Sequence, residues 1–145
     1  MWTATHTVDS AATNQIVYEI LSDVSHWPMW NPGVLRVDLD GPFAAGTTGV
    51  MHMPEEEPLG FRLAWVAEGR GFEDETEIPG ADVLVRVRHS LEPLADGGTR
   101  ITYQASVEGP AADTLGSEIG YAVTADFPDV LAALAARAEA RLVSA

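Results

Sequence analysis

Two-residue alternation of apolar side chains is the pattern that most constrains the fold of this chain. In "DVLVRVRHSLEPL", residues 82–94, every second position is apolar or aromatic: Val83, Val85, Val87, His89 and Leu91. Residues 2–8 and "TRITYQASVEG", residues 99–109, alternate in the same way. Alternate side chains of a β-strand lie on the same face. The pattern therefore predicts strands with one buried and one solvated face.

Turn-forming residues divide the middle of the chain into further strands. Breaks fall at Gly41-Pro42, residues 54–58, residues 69–71, Pro79-Gly80 and residues 96–98. Glycine and proline at such spacing are typical of hairpin turns. The chain from Val34 to Gly109 is thus predicted to form six antiparallel strands, which makes seven with the strand at residues 2–8.

Helical spacing appears after the first strand and again near the C-terminus. Val17, Ile20, Leu21 and Val24 form one apolar stripe, with Asp9, Ser10 and Thr13 as candidate caps before it. This helix is predicted to end near Asp23, because Pro28 and Pro32 do not continue a helix.

A longer helix is predicted at the C-terminus. Its apolar face runs through residues 127–142 and consists of Val130, Leu131, Leu134, Ala138 and Leu142. Residues 115–123 form a preceding helical segment, and Gly120 and Pro128 predict a kink or break between the two pieces.

The element order and one aromatic block together resemble a known superfamily. "VYEILSDVSHWPMWNPGV" carries a Trp-Pro-x-Trp-Asn-Pro block directly after the first helix, and "GGTRITYQ" and "LAALAARAEAR" complete the likeness. These segments resemble the START-like superfamily, in particular its polyketide cyclase/dehydrase and lipid-transport branch. The resemblance implies an α+β helix-grip fold: a curved seven-stranded antiparallel sheet around a long C-terminal helix, with short helices after strand one and an apolar cavity between sheet and helix.

Composition excludes several functional classes. The 145 residues are predicted to form a single domain, 1–145. A net charge of −14 disfavours nucleic acid and anionic membrane surfaces as partners. The chain has no cysteine and its four histidines lack a zinc-site spacing, so we expect neither metal nor cofactor. The absence of a signal-peptide pattern predicts a cytoplasmic protein.

Trp27 and Trp30 have two interpretations. As structural residues they seal the junction between the short helices and the open end of the sheet, while Pro28 and Pro32 fix the turn. As functional residues, one indole lines the ligand entrance and Asn31 offers a polar group.

Strand alternation nominates the residues that line the cavity. His89 and Tyr103 lie at inward positions of neighbouring strands, with Arg86 and Arg88 on the opposite face. The other predicted ligand-binding residues are His6, Trp30, Trp65, Leu131, and either His52 or the pair Met51 and Met53. A β-bulge within residues 83–91 would exchange the two faces and bring the arginines inward.

The "EDETE" segment carries the densest run of charge. Its alternation places Glu73, Glu75 and Glu77 on one strand face, which is most simply the solvent side. A calcium site there would lack the glycine and the ligand spacing of a known loop.

Two main functions follow from the predicted cavity. The first is a carrier or sensor that binds a small hydrophobic or aromatic molecule, lipid-like or polyketide-like. The second is a metal-free cyclase or dehydratase in which His89 and Tyr103 are the candidate catalytic acid and base. A protein-interaction role is a third alternative, and a homodimer is possible because apolar residues at the open end of the sheet could contact a partner.

Overall fold

The chain forms a sheet of seven antiparallel strands that packs against a long C-terminal helix, as the sequence predicts. The structure is a computed structural model that describes the backbone of residues 1–144 and side chains through residue 143. The strands are β1 (Trp2–Ser10), β2 (Arg36–Leu39), β3 (Thr48–His52), β4 (Leu59–Ala67), β5 (Gly71–Ile78), β6 (Val83–Pro93) and β7 (Thr99–Glu108).

Sheet order follows from the hairpins, with one exception. The order is β1-β7-β6-β5-β4-β3-β2, so each strand from β2 to β7 pairs with its neighbour in sequence. Strand β1 crosses over to pair with β7, and His6 lies opposite Tyr103 in that register. The sheet is open, with β1 and β2 at its edges.

The short helices after β1 agree with the predicted cap at Thr13 and with the predicted end before the prolines, whereas the other candidate caps, Asp9 and Ser10, lie within β1. Helix α1 (Asn14–Ser22) is capped by Thr13, whose Oγ1 accepts a hydrogen bond of 3.3 Å from the Ile16 amide. It ends at Asp23, and the chain continues as a 3₁₀ helix, Val24–Met29, which contains Pro28.

The C-terminal region consists of two helices, α2 (Ala112–Thr124) and α3 (Phe127–Ser144). The predicted break is confirmed and lies between Thr124 and Phe127. Pro128 lies in the first turn of α3, where a proline is tolerated because its missing amide hydrogen is not needed there. Helix α3 packs on β1 and α1, and α2 packs on β1 and β7. Leu131 and Leu134 are buried in the core beneath α3, as predicted.

The stretch Ala112–Val143 is long and apolar enough to span a membrane by length and composition alone. Its core-facing residues, including Leu131 and Leu134, are fully buried against the rest of the protein. Such packing is typical of the core helix of a globular fold.

Charged residues cover the outer face of the central strands. Arg88 Nε lies 3.2 Å from a Glu73 carboxylate oxygen, and Arg86 contacts Glu75 at 2.6 Å and Glu108 at 2.8 Å. The predicted outward orientation of the "EDETE" glutamates and of both arginines is therefore confirmed, and β6 contains no bulge that would exchange its faces.

Candidate functional site

A cavity of about 690 Å³ lies between the concave face of the sheet, the 3₁₀ helix and the α2–α3 junction. Most of its lining is apolar, from residues of every layer that surrounds it. The apolar wall includes Leu21, Val34, Leu59, Ile78, Val85, Val87, Ile119, Val123 and Val130. The polar lining residues are Asn31, Glu56, Asp74, Thr76, His89, Tyr103 and Asp126. A mainly apolar cavity with a few polar groups is typical of a small-molecule site.

The tryptophan block closes one side of this cavity. Trp27 Nε1 donates a hydrogen bond of 3.0 Å to the carbonyl oxygen of Leu21, which fixes the 3₁₀ helix on α1. Trp30 packs edge-on against Trp27 with ring centroids 6.4 Å apart. Both indoles are buried and both line the cavity, in agreement with the structural interpretation of the block, and a role at the ligand entrance stays a prediction.

Asn31 and Trp30 differ in how their polar atoms are used. Asn31 Oδ1 accepts a hydrogen bond of 3.0 Å from the Gly33 amide, which stabilises the turn. Trp30 Nε1 is buried and has no hydrogen-bond partner within residues 1–143. A buried donor of this kind lowers the stability of a protein unless it finds an acceptor.

Aromatic rings form a continuous series along the cavity floor. Trp27 stacks on Phe72 at 6.1 Å, and Phe72 stacks on His89 at 3.9 Å with an interplanar angle of 11°. His89 meets Tyr103 edge-on at 4.4 Å, and Tyr103 meets Phe127 of α3 at 5.4 Å. These contacts connect the sheet, the 3₁₀ helix and α3, and the rings line the cavity.

Asp74 is the unexpected member of this site. It lies on β5 opposite Leu63 and Val87, at an inward position. Its side chain keeps 21% of its surface exposed, and it lines the cavity. Burial is the main cause that raises the pKa of Asp74 to about 7, and the neighbouring Glu73 carboxylate adds to the shift.

His89 lies beside Asp74 and is uncharged at neutral pH. Burial lowers the pKa of His89 to about 3, against smaller opposing effects of backbone hydrogen bonds at Phe72 and Val87. Its Nδ1 is 3.3 Å from the Phe72 carbonyl oxygen and so carries the hydrogen, while Nε2 is 3.9 Å from an Asp74 carboxyl oxygen. Because the imidazole is neutral, this contact is not an ion pair.

Tyr103 and Asp126 complete the polar set. Burial raises the pKa of Tyr103 well above its usual range, with further contributions from Asp74 and Asp126. Burial also raises the pKa of Asp126, at the start of α3, and Asp129 adds to that shift. The carboxyl groups of Asp74 and Asp126 are therefore both close enough to raise the pKa of the Tyr103 hydroxyl.

Five of the predicted site residues line the cavity: Trp30, Met51, Met53, His89 and Tyr103. Between the alternatives at β3, the methionine pair faces inward, whereas His52 contacts Asp38 at 3.0 Å on the outer face. Whether these residues contact a ligand stays a prediction.

Trp65 does not line the cavity, and the reason is a β-bulge in β4. Leu63 lies opposite Asp74, but Trp65, two residues on, lies opposite Glu73, only one residue back along β5. The extra residue, Ala64, reverses the alternation and turns Trp65 to the outer face. There the Arg88 guanidinium lies 4.4 Å from the centre of its ring.

His6 and Leu131 also lie outside the cavity lining. Phe127, which does line the cavity, packs against the His6 ring at 6.0 Å and against the Tyr103 ring. Leu131 is a core residue only 1% exposed, and the α3 residues that reach the cavity are Phe127 and Val130.

Asp74, Thr76 and Asp126 were missed by the sequence reasoning. Alternation that places Glu73, Glu75 and Glu77 outside also places Asp74 and Thr76 inside, so the strand pattern contained this information. Asp126 had no comparable indicator, because its position depends on where the α2–α3 break falls. Among the side chains of residues 1–143, no group of three metal-ligating residues converges on a metal site.

Comparison with known proteins gives a family model that covers nearly the whole chain. The model described as polyketide cyclase/dehydrase and lipid transport matches residues 1–139. A search of curated proteins finds no match to this sequence.

Solved structures with the same fold are distant in sequence. The ZhuI aromatase/cyclase from Streptomyces sp. R1128 is 18% identical with a TM-score of 0.79, covering 97% of this chain and 95% of that one. Ara h 8.0201 is 15% identical with a TM-score of 0.77, covering 96% and 98%. A START superfamily protein from Mycobacterium smegmatis is 17% identical with a TM-score of 0.75, covering 94% and 97%. At these identities the likeness shows a shared helix-grip fold.

Proposed function

Because the chain belongs to the polyketide cyclase/dehydrase and lipid-transport family, we propose that it is a carrier or sensor that binds a small hydrophobic or aromatic molecule in this cavity. The observation that carries the proposal is the cavity itself, about 690 Å³ with a mainly apolar lining. A bicyclic aromatic ligand that buries about 200 Å² of apolar surface gains roughly 5 kcal/mol at about 25 cal/mol per Å², before the entropic cost of binding.

Matched tryptophan substitutions on one strand test this proposal. Val87 lines the cavity, whereas Leu84 lies on the outer face of the same strand, opposite Glu77. Val87→Trp places an indole in the ligand's space, and Leu84→Trp adds the same ring outside.

Titration calorimetry with 2-(1-naphthyl)ethanol is the measurement. We expect Val87→Trp to weaken binding at least about tenfold and Leu84→Trp to change it by less than about twofold, in variants that unfold cooperatively. Equal affinity of wild type and Val87→Trp would overturn the proposal.

A cyclase or dehydratase activity is the second candidate, and the polar set of Asp74, His89 and Tyr103 favours it. A carboxyl group with a pKa of about 7 is matched to general acid-base catalysis at neutral pH. The neutral imidazole of His89, with its pKa of about 3, is a poor proton donor. The acid-base group in this candidate is therefore Asp74, with His89 and Tyr103 as orienting groups.

The corresponding reaction is an aldol closure with loss of water. The Asp74 carboxylate removes a proton from a carbon between two carbonyls, and the enolate carbon bonds to a third carbonyl of the same chain. That carbonyl oxygen takes the proton back as a hydroxyl. Loss of this hydroxyl with the remaining hydrogen of the attacking carbon releases one water and leaves a carbon–carbon double bond.

The double variant His89→Leu with Tyr103→Phe separates the two candidates. In the binding function it should weaken an aromatic ligand modestly, since a neutral hydrogen bond contributes about 0.5–1.5 kcal/mol. In the enzymatic function it removes both orienting groups and should lower turnover of a poly-ketone substrate by roughly 10²-fold, with little loss of binding.

A further inference from the structure

The only charge that the ionisable groups lining the cavity can carry near neutral pH is negative. Three carboxyl groups line it, those of Glu56, Asp74 and Asp126, and His89 is held neutral by burial. The chain contains no lysine, and all eight of its basic residues are arginines. Within the described residues, none of these arginines lines the cavity.

The arginines are held elsewhere, mostly by surface carboxylates. Those on the outer face of the sheet pair with aspartate or glutamate: Arg36, Arg62, Arg86, Arg88 and Arg100. On α3, Arg137 contacts the Met29 sulfur and Arg141 lies 3.7 Å from Glu19. The cavity therefore has no protein cation to neutralise a buried carboxylate, whether that of Asp74 or that of a bound acid.

Polar atoms at the cavity floor have no protein partner. Tyr103 is only 4% exposed and lines the cavity, and within residues 1–143 its hydroxyl makes no hydrogen bond. Asp74 accepts no hydrogen bond from these residues either, and His89 Nε2 lies 3.9 Å from one of its carboxyl oxygens, which is beyond hydrogen-bond distance. Neither group is sealed off from the cavity, so both are available to hydrogen-bond with a polar group of a bound ligand.

We propose that the cavity selects molecules with an apolar aromatic body and a protonated amine, which donates hydrogen bonds to Asp74, and that it rejects the corresponding carboxylates. This inference rests on the proposed binding function and names the chemical class of its ligand. An ammonium group supplies the donors that the Asp74 carboxyl lacks. The rings of Trp30 and Tyr103, which line the cavity, suit both the aromatic body and the cation beside it. A carboxylate ligand would meet Asp74 and Asp126 without any compensating cation.

Binding of the amine is linked to the protonation of Asp74. The titratable groups around this carboxyl are His89 on β6 and Tyr103 on β7, with Asp126 in the same cavity lining, and Glu73 acts on it from the outer face of its own strand. With a pKa of about 7, Asp74 is mostly protonated at pH 6 and mostly ionised at pH 8. An alkyl amine stays protonated at both, so its affinity should rise about tenfold from pH 6 to pH 8.

Three probes of the same size test the inference: 2-(1-naphthyl)ethylamine, 2-(1-naphthyl)ethanol and 1-naphthylacetate. Calorimetry at pH 8 should show the amine binding about fivefold to tenfold more tightly than the alcohol, since a hydrogen bond to a charged group is about twice as strong as a neutral one. The carboxylate should bind more weakly than the alcohol. In Asp74→Asn the amine should lose its advantage over the alcohol, while Asp113→Asn, which removes a surface carboxyl 96% exposed, should keep it.

The outcomes separate this inference from the proposed function. If the alcohol binds and the amine binds no more tightly, the amine selectivity is wrong and the binding function stands. If the carboxylate binds as tightly as the amine, the charge argument is overturned. If none of the probes binds, both are overturned. Should Asp74→Asn fail to fold, the ranking of the probes and its change between pH 6 and pH 8 in the wild type still decide the matter.

Discussion

Asp74 and His89 lie side by side on the cavity floor, with a carboxyl oxygen 3.9 Å from Nε2, and both are neutral in the lower part of the physiological pH range. Burial shifts the two pKa values in opposite directions and past each other, to about 7 for the acid and about 3 for the imidazole. The pair therefore places hydrogen-bonding groups in an apolar cavity with less charge than their residue types suggest.

These two shifts act in opposite directions on stability. Between the ordinary carboxyl pKa of 3.8 and about 7, the unfolded chain has released the Asp74 proton and the folded chain has not, so the free energy of unfolding falls as pH rises. Between about 3 and 6.5, the unfolded chain protonates His89 and the folded chain does not, so the free energy of unfolding falls as pH drops. In the wild type the two slopes largely cancel.

Single variants should expose each slope. In Asp74→Asn only the His89 slope remains, so we expect the free energy of unfolding to rise with pH between about 4 and 6.5. In His89→Gln only the Asp74 slope remains, so we expect the free energy of unfolding to fall with rising pH between about 4 and 7. Each change is at most roughly 1.4 kcal/mol per pH unit. Urea unfolding at several pH values measures both. Profiles parallel to that of the wild type would show that neither group titrates as its burial requires.

Leu134 anchors α3 to the sheet. Its side chain is 0% exposed, so Leu134→Ala should lower the free energy of unfolding by about 2–5 kcal/mol through lost burial and a residual cavity. The matched control is Leu142→Ala on the same helix, where the residue is 43% exposed and the loss should be small. Denaturant unfolding measures the loss of stability in the two variants. Equal losses would mean that α3 does not pack on the sheet through Leu134.

Gly120 lets α2 lie close to β1. A Cβ atom at this position would stand 2.2 Å from the Trp2 ring, so Gly120→Ala must displace the indole. We expect a loss of stability even though alanine favours a helix over glycine by about 1 kcal/mol. Near-ultraviolet circular dichroism measures the change in the surroundings of the indole, and thermal unfolding measures the change in stability. Ser117→Ala, exposed on the same helix, is the control, and a stabilised Gly120→Ala protein would contradict the packing of α2.

Trp65 and Trp30 should differ in their effect on ligand affinity. The bulge in β4 turns Trp65 outward, so Trp65→Phe should change the affinity for 2-(1-naphthyl)ethanol by less than about twofold. Trp30→Phe alters the cavity wall and should change it more, in calorimetry on folded variants. A larger effect at Trp65 would mean that the bulge is misplaced.

Most of the fold could be predicted from the chain because its determinants are local. Period-two strands, turn residues and the apolar stripe of α3 each act over a few positions. The bulge at residues 63–65 could not be predicted, because "FRLAW" alternates normally and only its pairing with β5 shows the extra residue. His6 was misplaced for a similar reason: strand alternation gave its face correctly but not the position of Phe127 above it.

Asp74 was overlooked for an energetic reason. Alternation placed it inside, but a carboxylate without a cation is not expected at an apolar wall, because its burial as a charged group is costly. The raised pKa resolves this conflict, since the protonated form is neutral. Such a residue is visible to sequence reasoning only if strand parity is given more weight than the hydropathy of the side chain.

Methionine methyl resonances offer the most direct test of ligand binding in the cavity. The chain has four methionines: Met51 and Met53 line the cavity, whereas Met1 and Met29 are 74% and 66% exposed. In protein labelled with ¹³C at these methyl groups, titration with 2-(1-naphthyl)ethanol should shift the Met51 and Met53 signals saturably and leave Met1 and Met29 nearly unchanged, because ring currents act only at short range. Saturable shifts confined to Met1 or Met29, or no shift at any methyl, would contradict the account.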